Sequence, residues 1–181
     1  AKYKIPFYFV DHGSDAFISM LKFMKVTTLV NAGTPKKVSK AVLDSLTDGV
    51  INIHPGQLPY YRGCSAVEWA IYNDDAVANT VHFMSEEFDQ GPIIKVEKYK
   101  FSSRSSYQNI RTEVYEKGFI LISKILFEMQ QNPNKKIKSY RQDEKCAKYW
   151  DPIPPVKMRE VLSKVENKNY KFQSNNFKEK N

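Results

Sequence analysis

Cysteine is scarce: only Cys64 and Cys146 occur in 181 residues, far apart. A disulfide framework is therefore not expected, and a reducing, cytoplasmic setting is. Histidine is scarce too. His12, His54 and His82 stand alone, with no close Cys/His grouping, so no metal site is expected. No apolar run approaches the ~18 residues of a membrane-spanning helix. The first six residues, Ala-Lys-Tyr-Lys-Ile-Pro, hold no apolar stretch of the kind a signal peptide needs. Glycine-rich phosphate turns are missing, since Asp11-His12-Gly13-Ser14 is a poor substitute for one. No internal repeat is found.

What is present suits one folded domain. Hydrophobic residues make up 41 % of the chain, which argues against wholesale disorder. The net charge of +8 would attract anions such as folate glutamates, phosphates or RNA. Many of the lysines, however, lie at positions 135–138 and in the last fifteen residues. A solvated basic surface is the simpler reading. The tyrosines and lysines form no recognised stacking motif, so nucleic acid is not the expected partner.

Hydrophobic periodicity lays out an α/β order. Residues 5–10 read as a strand, and Ser14 or Asp15 caps a helix carrying Phe17, Ile18, Leu21 and Phe23. Residues 27–31 read as a second strand. Thr34 then caps, and Pro35 opens, a helix whose face is Val38, Ala41, Val42, Ser45 and Leu46. Residues 50–54 follow as a parallel neighbour of 27–31. Ser65 opens a helix through Val67, Trp69, Ala70 and Tyr72. Residues 80–85 and 93–101 are later strands. Ser105 with Gln108 is a capping-box pattern before the clearest helix, with Ile110, Val114, Leu121, Ile122, Ile125 and Met129 on one face. Residues 149–155 are extended, 156–165 a short helix, and 167–181 a flexible polar tail.

The functional signal is concentrated in residues 50–63. Val50, Ile51 and Ile53 have buried-strand character. Asn52 and His54 are two apart, so a strand points both to one face. Pro55 ends the ladder, and a loop with Gly56, Pro59 and Gly63 follows. An amide and an imidazole thus sit side by side where a strand runs out, the position at which open α/β sheets bind ligands. A second block, residues 80–94, gives a strand, an acidic loop with Asp89 and Gly91, and another strand.

Together the two blocks resemble the folate-dependent formyltransferases. That family carries Asn-x-His-Pro-x-x-Leu-Pro-x-x-x-Gly, followed by Val-His, six residues, then Asp-x-Gly-x-Ile-Ile; here these are Asn52 to Gly63 and Val81 to Ile94. The likeness runs over about residues 33–129. It implies a Rossmann-like formyltransferase domain over residues 1–140, a largely parallel sheet with flanking helices, apparently shortened at its N-terminus. Residues 141–166 would be an extension packed on it. A shortened sheet would leave an edge unpaired, and a homodimer across that edge would cover it.

The resemblance also implies an activity: a formyl group passes from 10-formyltetrahydrofolate to a primary amine. Such a transfer goes through a tetrahedral species with an oxyanion, so it needs oxyanion donors and a route for protons. Asn52 can donate from its amide, His54 can donate in either protonation state, and Asp89 can orient the histidine and take part in proton transfer. The family's catalytic Asn, His and Asp match these three positions. Its pterin pocket would map onto the segment of residues 33–38, with Gly33, Thr34 and Pro35, on one wall and the loop of residues 84–90, with Met84, Ser85, Glu86, Glu87, Phe88 and Asp89, on the other. Tyr60, Tyr61 and Arg62, on the loop after His54, are candidates for the acceptor side and equally for packing. His82 alternates with Val81 and Phe83 and reads as structural.

The acceptor is expected to be small and nucleotide-linked. Residues 54–63 with 67–71 resemble the branch acting on amino sugars, and residues 80–94 resemble the glycinamide ribonucleotide branch. A non-catalytic folate-binding module is the rival class, against which the intact Asn52, His54 and Asp89 count.

Overall fold

The computed structural model describes residues 5–31, 33–34 and 36–174. A four-stranded sheet runs in the order β1 (Thr28–Asn31), β2 (Gly49–His54), β4 (Ala78–Phe83), β5 (Ile93–Lys98). Small two-stranded pairings join β3 (Arg62–Gly63) to β7 (Tyr149–Trp150) and β6 (Phe101–Ser102) to β8 (Gln173–Ser174). The helices are α1 (Asp15–Phe23), α2 (Lys40–Asp44), α3 (Ala66–Tyr72), α4 (Tyr107–Gln131) and α5 (Pro155–Glu166).

The α/β class is as expected, but the sheet is mixed, not largely parallel. β1 and β2 pair parallel, while β2–β4 and β4–β5 pair antiparallel. Between β2 and β4 the chain makes no crossover: the loop of residues 55–65, α3 and the turn at 73–77 bring it back to the end where β2 stops, and β4 runs back beside it, with His54 opposite Thr80 and Asn52 opposite His82.

Strand parity divides the core. Ile51 and Ile53 of β2 and Val81 of β4 face α4, where Leu121, Ile122 and Ile125 cover them. Val50 faces the other way, into a cluster with Leu21, Val42 and Leu46 from the α1 and α2 side. A third cluster joins α3, α5 and the first half of α4, through Trp69, Ile71, Ile110, Val114 and Val161. Burial of side chains this size contributes about 1.5–3 kcal/mol each.

Several local expectations are met: Ser14 Oγ accepts from the Phe17 N–H, and α4 carries a capping box one residue later than expected, between Ser106 and Asn109. Others are corrected. Residues 5–10 form no strand: they pair with neither edge strand of the sheet, β1 or β5, and Ile5, Phe7 and Phe9 stay exposed. α2 starts at Lys40 under a Ser39 cap, and Thr34 instead donates its N–H to Asn31 Oδ1. Ser65 does not cap α3; it sits at φ +50° and its Oγ accepts from the Ile153 N–H. The tail expected from residue 167 is packed as far as residue 174. Tyr170 is 1 % exposed; its hydroxyl donates to the Asp75 carbonyl and accepts from the Val77 N–H.

Candidate active site

On the face opposite α4, Val50 is roofed by α1 and α2, and the next two residues of the same parity are Asn52 and His54. β4 adds Thr80 and His82 to this face, because Val81 between them is committed to the core. Four polar side chains thus gather near the end of β2.

The loop that follows is fastened at close quarters. Thr80 Oγ1 donates to the Gly56 carbonyl at 2.6 Å and accepts from the Leu58 N–H at 3.1 Å. Leu58–Pro59 is a cis peptide. A Cβ at Gly56 would stand 2.7 Å from His54 Nε2 and 2.7 Å from the Ala66 Cβ, so only glycine allows the ring its place. Across the site a Cβ at Gly91 would fall 1.8 Å from the Phe83 carbonyl oxygen, which makes glycine obligatory in the acidic loop as well.

Hydrogen bonds assign the histidine tautomers. His54 Nε2 lies 2.6 Å from the Tyr61 carbonyl. A carbonyl only accepts, so Nε2 carries a hydrogen and Nδ1 is the position at which a proton can come and go. Nδ1 faces Asp89 Oδ1 at 3.5 Å. Asp89 Oδ2 accepts from the Gly63 N–H at 2.9 Å, which leaves Oδ1 for the imidazoles. By the same reasoning, His82 Nδ1 donates to the Phe83 carbonyl at 2.8 Å, and the neutral ring accepts through Nε2 from Asn52 Nδ2 at 3.0 Å. This fixes which way the Asn52 amide points: its NH₂ lies toward His82, with one further N–H left to donate.

His82 is held neutral. Burial lowers its pKa from the ordinary 6.5 to about 4; neighbouring His54 adds to the fall and Asp89 opposes it. The unfolded chain binds this proton below pH 6.5 and the folded chain does not until about pH 4. Stability is therefore complete above pH 6.5 and falls, on this account, by up to about 1.4 kcal/mol per unit as pH drops through that window. In denaturant titrations at pH 7, 6 and 5, His82→Asn is expected to lose stability less steeply than the native chain. Equal slopes would show that His82 is not the group responsible.

The expected site residues separate into two groups. Asn52, His54 and Asp89 come together as described. The two expected pterin walls are also neighbours: Lys37, on the first, pairs with Glu87 on the second at 2.6 Å and lies 5.5 Å from the Phe88 ring centre. Gly33 and Thr34 are on that first loop, exposed, and Pro35 lies outside the described residues. Met84 turns into the Val50 cluster, the Ser85 hydroxyl donates to the Glu87 carbonyl, and Glu86 is exposed.

The acceptor-side candidates fare differently. Tyr60 is exposed, with its carbonyl taken by Trp150 Nε1. Tyr61 is buried and stacks on Trp150, its hydroxyl donating to Asp75 at 2.6 Å. Arg62 is 2 % exposed, and its guanidinium is spent on Gln142 and Glu144. Packing, the second option for this loop, is what Tyr61 and Arg62 do: β3 pairs with β7, which draws their side chains under residues 142–151.

Two members of the site escaped the sequence reading. His82 was legible in parity alone, since it shares a face with Thr80, but only antiparallel pairing sets it against Asn52. Gln142 carries no local signal; its amide reaches the Asp89 loop from 53 residues away.

Comparison with known proteins agrees with this picture. The family model described as Formyl transferase matches residues 10–126. The methionyl-tRNA formyltransferase of Fusobacterium nucleatum is 25 % identical over 140 residues, covering 77 % of this chain and 44 % of that protein, so the chain spans less than half the length of this curated relative. Among solved structures, a 4-N formyltransferase from Francisella tularensis superposes with a TM-score of 0.65 at 20 % identity, over 86 % of this chain and 66 % of the other. An N-formyltransferase from Helicobacter canadensis, solved with folinic acid and dTDP-3-aminofucose, gives 0.60 at 17 %, over 81 % and 58 %. With 10–126 matched, well over half of its residues, the chain belongs to the formyl transferase family.

Proposed function

We propose that this domain transfers a formyl group from 10-formyltetrahydrofolate to a primary amine on a nucleotide-linked amino sugar. The observation that carries the reading is the convergence of Asn52, His54 and Asp89, with His82 setting the Asn52 amide. A non-catalytic folate binder has no use for an imidazole Nδ1 aimed at a carboxylate.

The residues present fit the donor. Residues 33–38 and 84–90 are drawn beside each other by the Lys37–Glu87 pair, and both are irregular backbone of the kind that matches a pterin edge. Bound there, formyl-folate would supply the electrophilic one-carbon group. The free Asn52 N–H is the donor for negative charge that develops on the formyl oxygen, already oriented and so with little reorganisation at the moment of reaction. His54 Nδ1 and Asp89 Oδ1 form the proton route: the attacking amine loses a proton to this pair, and the leaving nitrogen gains one. His82, neutral and accepting, keeps the Asn52 amide from turning its oxygen toward the reaction.

The acceptor class is supported by the sugar-branch likeness of residues 54–63 and by the amino-sugar nucleotide named with the Helicobacter protein. The curated relatives favour a second reading, methionyl-tRNA. Calorimetric titration with 5-formyltetrahydrofolate, then formyl transfer to a dTDP-amino sugar, glycinamide ribonucleotide and methionyl-tRNA, tests both. Saturable one-site binding with turnover on the amino sugar alone is expected. Turnover on methionyl-tRNA alone would replace the acceptor, and no folate binding by the folded protein would overturn the reading.

A further inference from the structure

We propose that Gln142 is a positioning residue of this site, a clamp that holds the Asp89 carboxylate against His54; the inference rests on the proton-route reading above. The side chain uses every hydrogen-bonding position an amide possesses. Nε2 donates to the Asp89 carbonyl and to the Gly91 carbonyl, both at 2.8 Å. Oε1 accepts from Arg62 Nε at 3.1 Å and from Arg62 Nη2 at 2.8 Å. One side chain therefore ties the acidic loop to the loop that follows His54.

The tie matters because of how Asp89 is held. Its backbone sits at φ +56°, a left-handed conformation that aspartate tolerates but that neighbouring contacts must select. Gln142 restrains its carbonyl, and the Gly63 N–H, one residue after Arg62, restrains Oδ2. With both in place, Oδ1 is the oxygen facing His54 Nδ1 and His82 Nε2, at 3.5 and 3.8 Å. Tyr149, on the same segment as Gln142, adds a hydrogen bond to the Phe88 carbonyl and lies 5.9 Å from the Arg62 guanidinium. Residues 142–150 thus act as a strap across both catalytic loops.

No other side chain reproduces this pattern. Glutamate keeps the oxygens for Arg62 and loses both donors to the acidic loop, so Gln142→Glu cuts one half of the clamp and spares the other. In that variant kcat for formyl transfer is expected to fall about 10- to 100-fold, as for a group displaced by about an ångström, with a much smaller change in the KM for the folate. Hydrogen exchange at the Gly63 amide, read by NMR, is expected to speed up while β4 and β5 amides keep their protection. A merely structural role would instead lower protection through the whole sheet and shift the melting point. Should Gln142→Glu not fold, Gln142→Met, close in volume, is read in the same way. An unchanged Gly63 amide with kcat within about twofold of the native value would overturn the clamp, since that leaves no room for a displaced carboxylate. If the native protein forms no formylated product with any acceptor, the functional reading fails, and the Gly63 amide still decides whether Gln142 holds Asp89.

Discussion

Asp89→Asn is expected to lower kcat about 1000-fold, the middle of the range for losing a positioned acid–base group, while the protein stays folded. The substitution is nearly isosteric, and an amide oxygen can still accept from the Gly63 N–H, which now donates to Oδ2. Its NH₂ then falls where Oδ1 was, facing His54 Nδ1 at about the present 3.5 Å. The His54 tautomer makes this more severe than loss of a charge. Because His54 Nε2 must donate to the Tyr61 carbonyl, Nδ1 is the one nitrogen free to exchange a proton, and an amide N–H would cap it. Steady-state kinetics and calorimetric titration with 5-formyltetrahydrofolate check the result together. Turnover at the native rate would remove Asp89 from the proton route. Loss of folate affinity as large as the loss of kcat would make it a pocket residue instead.

His54→Ala should separate chemistry from binding still more clearly. The ring is 5 % exposed and lies on the sheet face beneath the loop of residues 55–63, touching the acidic loop through Asp89, while the walls assigned to the pterin are otherwise built from other residues. Removing it deletes both the proton position and a buried hydrogen bond. We expect kcat to fall 10²- to 10⁴-fold with a far smaller change in folate affinity. The orphaned Tyr61 carbonyl should also cost about 1–3 kcal/mol of stability, so activity is to be compared below the variant's melting point. Parallel losses in kcat and folate affinity would assign the imidazole to the pocket and leave Asn52 and Asp89 to account for the chemistry.

The proposed Gln142 clamp bears on both experiments. It places part of the site in residues 142–150, beyond the 10–126 matched by the family model.

Much of the site was readable in the chain itself, because it depends on short-range geometry. A strand's two-residue period puts Asn52 and His54 on one face whatever the strand pairs with, and Pro55 marks where the ladder ends. Asp89 and Gly91 announce a turn by their backbone preferences, and the apolar spacing of Ile110, Val114, Leu121 and Ile125 defines α4 without reference to anything else. Distant partners set the rest. The same period-two pattern serves a parallel or an antiparallel neighbour, so the direction of β4, and with it the pairing of Asn52 with His82, was decided by the end of the sheet at which the folded chain re-enters. Residues 5–10 have every local mark of a strand and remain unpaired, since a strand is made by its neighbour and not by its own sequence. Arg62 and Tyr61 look equally suited to ligand or to core; the β3–β7 pairing settled them by bringing Gln142 and Glu144 to one and Trp150 to the other. Parity, turns and helix faces were written in neighbouring residues. Register, burial and the partner of each polar group were decided by segments 30 to 80 positions away, whose encounter is a property of the folded chain.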